Sequence, residues 1–282
     1  MQFKSLENTS IADLVHVFNE AFSDYIIPMH LTKEQLLNKI IAESIQRKLS
    51  FGAFDGDKLV GFILHGTEIQ NGEKIAYNGG TGVIPERRGK NLTSQLYDHS
   101  LPILKKAGIN KILLEVISDN HKAFNTYSKI GFKKNRTLNC YKGSIADFST
   151  DSSVHVQHIY QPDWNLLKTF WNWAPSWQNS VTAINNSWSL LDTIGIFNDD
   201  KLVGYVVCNP KLNKILQFAI DKNFRKTGLG KQLFQYYALN KSKSVSLNNI
   251  DSGDVETNSF LTSTGLKMYL QQEEMQLSFL SE

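Results

Sequence analysis

Gly52-Ala-Phe-Asp-Gly-Asp-Lys-Leu-Val-Gly-Phe-Ile-Leu64 returns in the second half of the chain as Gly195-Ile-Phe-Asn-Asp-Asp-Lys-Leu-Val-Gly-Tyr-Val-Val207. Each copy reads as an apolar strand, a tight turn of Asp, Asn and Gly, and a second apolar strand, which predicts a β-hairpin. Working outward, each hairpin is followed by another apolar strand, a basic glycine-containing turn and an amphipathic helix. These are Ile75 to Ile84, Arg87 to Lys90 and Leu92 onward in the first copy, and Ile215 to Ile220, Phe224 to Gly228 and Leu229 onward in the second. A repeat this long is a duplicated domain, since solenoid units recur every 20 to 50 residues or so.

Lys58 and Lys201 lie 143 residues apart, whereas Arg88 and Arg225 lie 137 apart. The first copy therefore carries a longer connection between hairpin and turn, and Asn71-Gly-Glu-Lys is its expected site. The polar, aperiodic stretch Asp147-Phe-Ser-Thr-Asp-Ser-Ser153 predicts the boundary, giving domains of 1–147 and 153–282. Within the first copy, Ser10 suits the N-cap of a helix running to Phe22, and Thr32 with Glu34 and Gln35 suits a capping arrangement for a second helix. The helix from Leu92 is expected to bend or restart at Pro102 before it ends at Gly108. A buried strand over Lys111 to Ile117 and a helix from Asn120 to Gly131 complete the copy. The order predicts an α/β fold, with a central mixed sheet flanked by helices in each of two tandem domains.

The 282 residues comprise 41% hydrophobic and 20% charged side chains, with a net charge of +3. That is ordinary globular composition. No apolar run is long enough to cross a bilayer and the first residues lack a signal-peptide pattern, so the expected compartment is the cytoplasm, without membrane association. The basic residues form no stripe, which argues against nucleic acid. Two cysteines, Cys140 and Cys208, and seven histidines without ligand spacing predict neither a structural metal nor a required disulfide.

The turn before the helix carries the chemistry. Arg225-Lys-Thr-Gly228-Leu-Gly230 opens a helix, and such a turn offers unpaired backbone N–H groups and a positive dipole end to an anion. It recurs as Arg88-Gly89-Lys90-Asn91-Leu92-Thr93. Val83-Ile-Pro-Glu-Arg-Arg-Gly-Lys-Asn-Leu-Thr93 resembles the pyrophosphate-binding segment of the GNAT acyltransferase superfamily, whose pattern is Arg/Gln-x-x-Gly-x-Gly/Ala. Asn120-His-Lys-Ala-Phe-Asn-Thr-Tyr127-Ser-Lys-Ile-Gly131-Phe132 resembles that superfamily's second signature. Asn91 and Thr93 occupy the two family glycine positions, and Asn tolerates the left-handed backbone the turn requires. In the second copy both glycines are kept, but Leu261 stands opposite Tyr127 and Asp254 opposite Asn120.

The resemblance implies an N-acetyltransferase that uses acetyl-CoA as co-substrate and acts on a primary amine of a small molecule or peptide, with no metal. It implies that backbone groups of Val83 and Ile84 hold the pantetheine arm and that the segment from Arg88 to Thr93, through Gly89, Lys90, Asn91 and Leu92, cradles the diphosphate. Asn120 would bond the pantetheine and Tyr127 would protonate the departing thiolate. No carboxylate lies on the strand Ile75 to Ile84; Glu68 and Glu115 are the nearby base candidates, with surface or structural roles expected for both. Phe22, Asp24 and Tyr25 lie in the loop the family uses near its acceptor. The five tryptophans, all between Trp164 and Trp188, read as a core or interdomain cluster, or as an acceptor lid. Two other readings stay open: the second copy as the CoA-binding half, and a non-catalytic CoA-binding or protein-interaction pair.

Overall fold

A computed structural model describes residues 1–27, 29–148 and 155–279. The chain forms two compact units, one of Met1–Asn135 with Glu273–Glu282, the other of Arg136–Gln272. The sequence places the division at 147–153, of which 149–153 lie outside the described residues; the compact units part instead at 135/136.

In the first unit the elements are β1 (Gln2–Ser5), α1 (Ile11–Phe22), α2 (Lys33–Ala42), β2 (Phe51–Asp55), β3 (Lys58–Gln70), β4 (Glu73–Val83), α3 (Leu92–Lys106), β5 (Lys111–Ile117), α4 (His121–Ile130) and the start of β6 (Lys133–Ser144). The second unit holds the rest of β6, then β7 (His155–His158), α5 (Trp164–Thr169), α6 (Val181–Asn186), β8 (Asp192–Asn198), β9 (Lys201–Asn209), β10 (Lys214–Ile220), α7 (Leu229–Asn240), β11 (Ser244–Asp251), α8 (Val255–Ser263) and the first half of β12 (Lys267–Ser278). The strand order is β1-β2-β3-β4-β5-β12 in the first unit and β12-β6-β11-β10-β9-β8-β7 in the second. Both sheets are mixed: β4 pairs parallel with β5 and β10 parallel with β11, and the hairpins are antiparallel. The end of the chain thus completes the first unit's sheet. Met275 and Leu277 enter its core beside Leu114 and Phe132, while Tyr141 of β6 enters the second core beside Val245 and Leu247.

Local chemistry explains the elements. The Ser10 hydroxyl accepts from the Asp13 amide at 3.0 Å, and Thr32 and Gln35 form a reciprocal capping box. Asn71 and Gly72, both with positive φ, close the β3–β4 hairpin, which is where the longer first copy was expected to differ. α3 continues through Pro102 without the restart that was one expected outcome there. Pro102 sits on the exposed face, where the carbonyl left without a helical donor is open to solvent. Ile103, placed on the apolar face by its spacing, is also exposed, and Tyr97 and Ser100 are buried in α3 instead.

Candidate functional site

In both units the parallel strands separate after a short contact. β4 and β5 pair only over Ile75–Lys111, Ala76–Ile112 and Tyr77–Leu113; β10 and β11 pair only over Lys214–Ser246 and Ile215–Leu247. At the point of divergence each inner strand carries a bulge. His65 opposes Asn78 and Leu64 opposes Gly80, leaving Gly79 extra; Cys208 opposes Ile215 and Val207 opposes Gln217, leaving Leu216 extra. The gap exposes main-chain groups that a regular sheet would pair, so a ligand laid along it can take those hydrogen bonds.

The turns that follow match in geometry as well as sequence. Asn91 is the N-cap of α3 with φ 55°, and Gly228 is the N-cap of α7 with φ 92°. Asn therefore supplies the left-handed residue that glycine supplies in the other copy. Gly89, at φ 78°, and the first amides of α3 form a concave set of donors at a helix N-terminus. Thr93 stands where the second copy has Gly230, and that glycine is explained by packing, since a Cβ there would meet the Phe260 ring at 3.0 Å.

Arg88 does not aim its guanidinium at the turn's ligand side. Nε donates to Val83 O at 3.1 Å, Nη2 to Ala21 O at 2.9 Å, and the fork grips Asp24 at 2.7 and 2.8 Å. Arg225 repeats the arrangement with Ile220 O, Phe170 O and Asn172 Oδ1 at 3.1, 2.5 and 2.9 Å. The arginine thus braces the turn against the end of the preceding helical segment. Asp24, offered by the sequence as an acceptor contact, is a partner of this brace, and its carboxyl is held below the usual range chiefly by the Arg88 hydrogen bond. Arg88→Lys is expected to cost about 1–3 kcal/mol, the range for hydrogen bonds to charged groups, in urea denaturation. Asp24→Asn, which leaves both carbonyl contacts in place, should not move the midpoint measurably.

The remaining predicted groups are placed as follows. The Val83 carbonyl accepts from Arg88, and the Ile84 amide donates to Val60 O at 3.0 Å, so these two groups have protein partners. Asn120 caps α4 through Ala123 N at 3.1 Å and donates to the Tyr25 hydroxyl at 3.2 Å. Lys90 is exposed and Leu92 buried. Tyr127 lies against the first core with its ring edge-on to Tyr97 and Phe132. Its phenol lies by the side chains of Thr81 and Asn78, which oppose the shift, and burial, the larger influence, raises its pKa. Asn78 Nδ2 also donates to Tyr97 Oη and Thr81 Oγ1, both at 2.8 Å. The polar set Asn78, Thr81, Tyr97 and Tyr127 therefore meets just past the bulge.

Asn78, Thr81 and Tyr97 were not singled out by the sequence reading, although a signal existed. An offset of 137 residues carries them onto Ile215, Phe218 and Phe234, and Tyr127 already faces Leu261. Each polar member of the first unit's set becomes apolar in the second.

Carboxylates gather on the other face of β4. Tyr77 Oη donates to Glu115, and Glu43, ion-paired with Lys39 at 2.6 Å, lies so close to Gly79 that a Cβ there would collide with its Oε2. Glu274, bonded by Asn135 Nδ2 at 2.6 Å, adds its field. Burial, followed by the neighbouring Glu274 and Glu43, pushes the Glu115 pKa up to about 8 even though the Tyr77 hydrogen bond opposes the shift. Of the surface or structural role expected for Glu115, the structure gives the structural one, a half-buried side chain that accepts from Tyr77 and keeps its proton to about 8. Glu68 is partly buried.

In the second unit a cavity of about 720 Å³ follows the gap and the turn, lined by Phe218, Arg225, Gly228, Lys231 and Phe260 among others. Trp171 and Trp173 line it too, while Trp177 is buried and Trp164 and Trp188 pack on a small apolar cluster. Among the described residues no group of three or more His, Cys, Asp or Glu side chains could hold a metal ion. No helix there is long and apolar enough to cross a membrane.

The structure is similar in fold to a putative acetyltransferase from Pyrococcus horikoshii, with a TM-score of 0.72 at 13% identity over 99% of this chain and 89% of that one. A tandem GNAT protein from the clavulanic acid biosynthesis pathway superposes with a TM-score of 0.71 at 12% identity over 100% and 99%. N-alpha-acetyltransferase 30 of Schizosaccharomyces pombe is 28% identical over 95 residues, which are 33% of this chain and 63% of that protein. The chain thus spans under two thirds of that relative's length. The model of the Acetyltransferase (GNAT) family matches residues 11–132 and 154–252, one segment in each copy of the repeat. The chain belongs to the GNAT acetyltransferase family and carries its fold twice.

Proposed function

We propose that this protein is an N-acetyltransferase that moves an acetyl group from acetyl-CoA to a primary amine, with the chemistry in the first unit. The observation that carries the reading is the Tyr127 phenol, which sits with Thr81 and Asn78 beside the opening between β4 and β5. The second unit has only Leu261, Phe218 and Ile215 at the corresponding places.

The residues present fit acetyl-CoA. The left-handed turn at Gly89 and Asn91 and the N-terminus of α3 suit its diphosphate, and the gap past Tyr77 suits its extended arm. When bound, acetyl-CoA supplies an activated acetyl thioester. Tyr127 then donates its proton to the sulfur as the carbon–sulfur bond breaks, a role that a phenol kept protonated by burial can perform. The amine reacts as the free base, its ammonium proton having gone to solvent, and Glu115 in its ionised form, populated as pH approaches its pKa of about 8, takes the remaining proton as the carbon–nitrogen bond forms. Which amine this is depends on contacts that vary while the fold persists.

The reading is tested by acetyl-CoA consumption with a panel of small amines and peptide N-termini, for wild type and Asn91→Pro. Proline cannot adopt the positive φ at Asn91, so the variant should raise the acetyl-CoA KM by roughly tenfold, equal to about 1.4 kcal/mol. A wild-type protein that turns over no amine would be a binding module; an unchanged KM in the folded variant would remove the diphosphate from this turn.

A further inference from the structure

The loop after α1 is fastened to the start of α4, and the second unit repeats the fastening with donor and acceptor exchanged. Asn120 Nδ2 donates to the Tyr25 hydroxyl at 3.2 Å, while Asn120 Oδ1 accepts from the Ala123 amide. In the second unit Trp173 Nε1 donates to Asp254 Oδ2 at 3.1 Å, and Asp254 caps α8. Tyr25 directly follows Asp24, the partner of Arg88, and Trp173 directly follows Asn172, the partner of Arg225. The contact is present in both copies, but what it leaves over differs. An indole has one proton and spends it on the carboxylate; a phenol that accepts still has its own to give.

Among the described residues nothing takes the Tyr25 proton. The ring is half-buried and edge-on to Phe22, with centroids 5.2 Å apart, so Phe22 fixes the ring and Asn120 its oxygen. Burial keeps the phenol protonated against the pull of the Asn120 bond, and its field reaches Tyr127. Accepting from Asn120 also makes the O–H a stronger donor. An amine about to attack needs its lone pair free, so a donor here serves the other reactant, at the acyl carbonyl. The Ile84 amide is taken by Val60 O and the Gly80 amide by Asn78 Oδ1, so neither of these can polarise that carbonyl.

We propose that Tyr25 is a second catalytic phenol, which donates a hydrogen bond to the acyl carbonyl oxygen of acetyl-CoA, with Asn120 as the positioning residue that leaves its proton free. This rests on acetyl transfer in the first unit. As the amine nitrogen attacks, the carbonyl π electrons move onto oxygen and the Tyr25 bond tightens. They return as the carbon–sulfur bond breaks and Tyr127 protonates the sulfur. Tyr25 keeps its proton throughout, and its contribution is that of a donor aimed in advance at a developing charge.

Two variants separate the proton from the fastening. Tyr25→Phe removes both. Asn120→Asp keeps the α4 cap and the link to the loop, but a carboxylate only accepts, so it takes the Tyr25 proton. The carbonyl stretch of bound, carbonyl-labelled acetyl-CoA is read by isotope-edited infrared spectroscopy at saturation, with kcat and a urea melt alongside. Wild type should hold the stretch below its frequency in free acetyl-CoA. Both variants should lose most of that shift and lower kcat by roughly 10²-fold, the effect of removing one such donor. If Tyr25→Phe melts early, Asn120→Asp decides alone. An unshifted carbonyl in wild type, or a shift that Asn120→Asp keeps together with wild-type kcat, would overturn the proposal, since the contact would then be a fastening only. A shift that the variants abolish in a protein acetylating no amine would uphold the Tyr25 contact and remove the transfer reading instead.

Discussion

Tyr127→Phe is expected to lower kcat by about 10²-fold or more, the usual contribution of a positioned proton donor, with little change in the acetyl-CoA KM. The ring would stay where it is, because its contacts with Tyr97 and Phe132 are edge-on aromatic packing that phenylalanine reproduces. Asn78 retains Tyr97 and Thr81 as partners when the hydroxyl is gone, so no buried amide is left without a bond. Stability should therefore change by only about 1 kcal/mol, the net worth of a neutral hydrogen bond. Steady-state kinetics with a fixed amine, alongside a urea melt, checks both halves. A variant whose kcat stays within threefold of wild type would show that the thiolate leaves without help from this phenol. Burial holds the Tyr127 proton above its ordinary pKa, so the tyrosine should contribute no descending limb to the rate profile near neutrality.

The same comparison shows how far the sequence could be read. The hairpins, the caps at Ser10 and Thr32 and the left-handed Asn91 are local, and short-range patterns of polarity and turn chemistry are sufficient to place them. The partner of a strand is not local. The second half of β12 joins β5 in the first unit, and nothing in the residues 267–278 states that. The raised pKa of Glu115 was out of reach for the same reason, since it depends on burial and on Glu274, which the chain's last strand brings in. Arg88 shows another limit: its place in a phosphate-type turn says nothing of its guanidinium, whose fork the structure uses to hold Ala21 and Asp24. The site's polar set was within reach. Aligning the two copies position by position exposes the exchange of Asn78, Thr81 and Tyr97 for Ile215, Phe218 and Phe234, and a difference between duplicated halves points to where their chemistry parts.

Glu115→Gln provides the second large effect and separates a base from a buried structural acid. In wild type, kcat/KM should rise with pH and level off above about 8, as Glu115 loses its proton. The amide cannot titrate, so the variant should lose that limb, and its plateau should fall by about 10²-fold or more if the carboxylate takes the amine proton. Acceptors of different basicity distinguish this from titration of the amine, because a limb belonging to Glu115 stays near 8 when the acceptor is changed. Stability gives an independent reading with a definite sign. The native state holds the Glu115 proton to about 8 whereas an unfolded glutamate releases it near 4.5, so between those values the native state binds more protons. Wild-type stability should therefore decline from pH 5 to pH 9 through this group, and the glutamine variant, which can still accept from Tyr77, should lack that component. Urea melts at pH 5, 7 and 9 measure it. A flattened stability profile with an intact rate limb would leave Glu115 a buried acid and move the proton acceptor elsewhere; a stability profile identical to wild type would mean that Glu115 is ionised at neutral pH and that the burial argument itself is wrong.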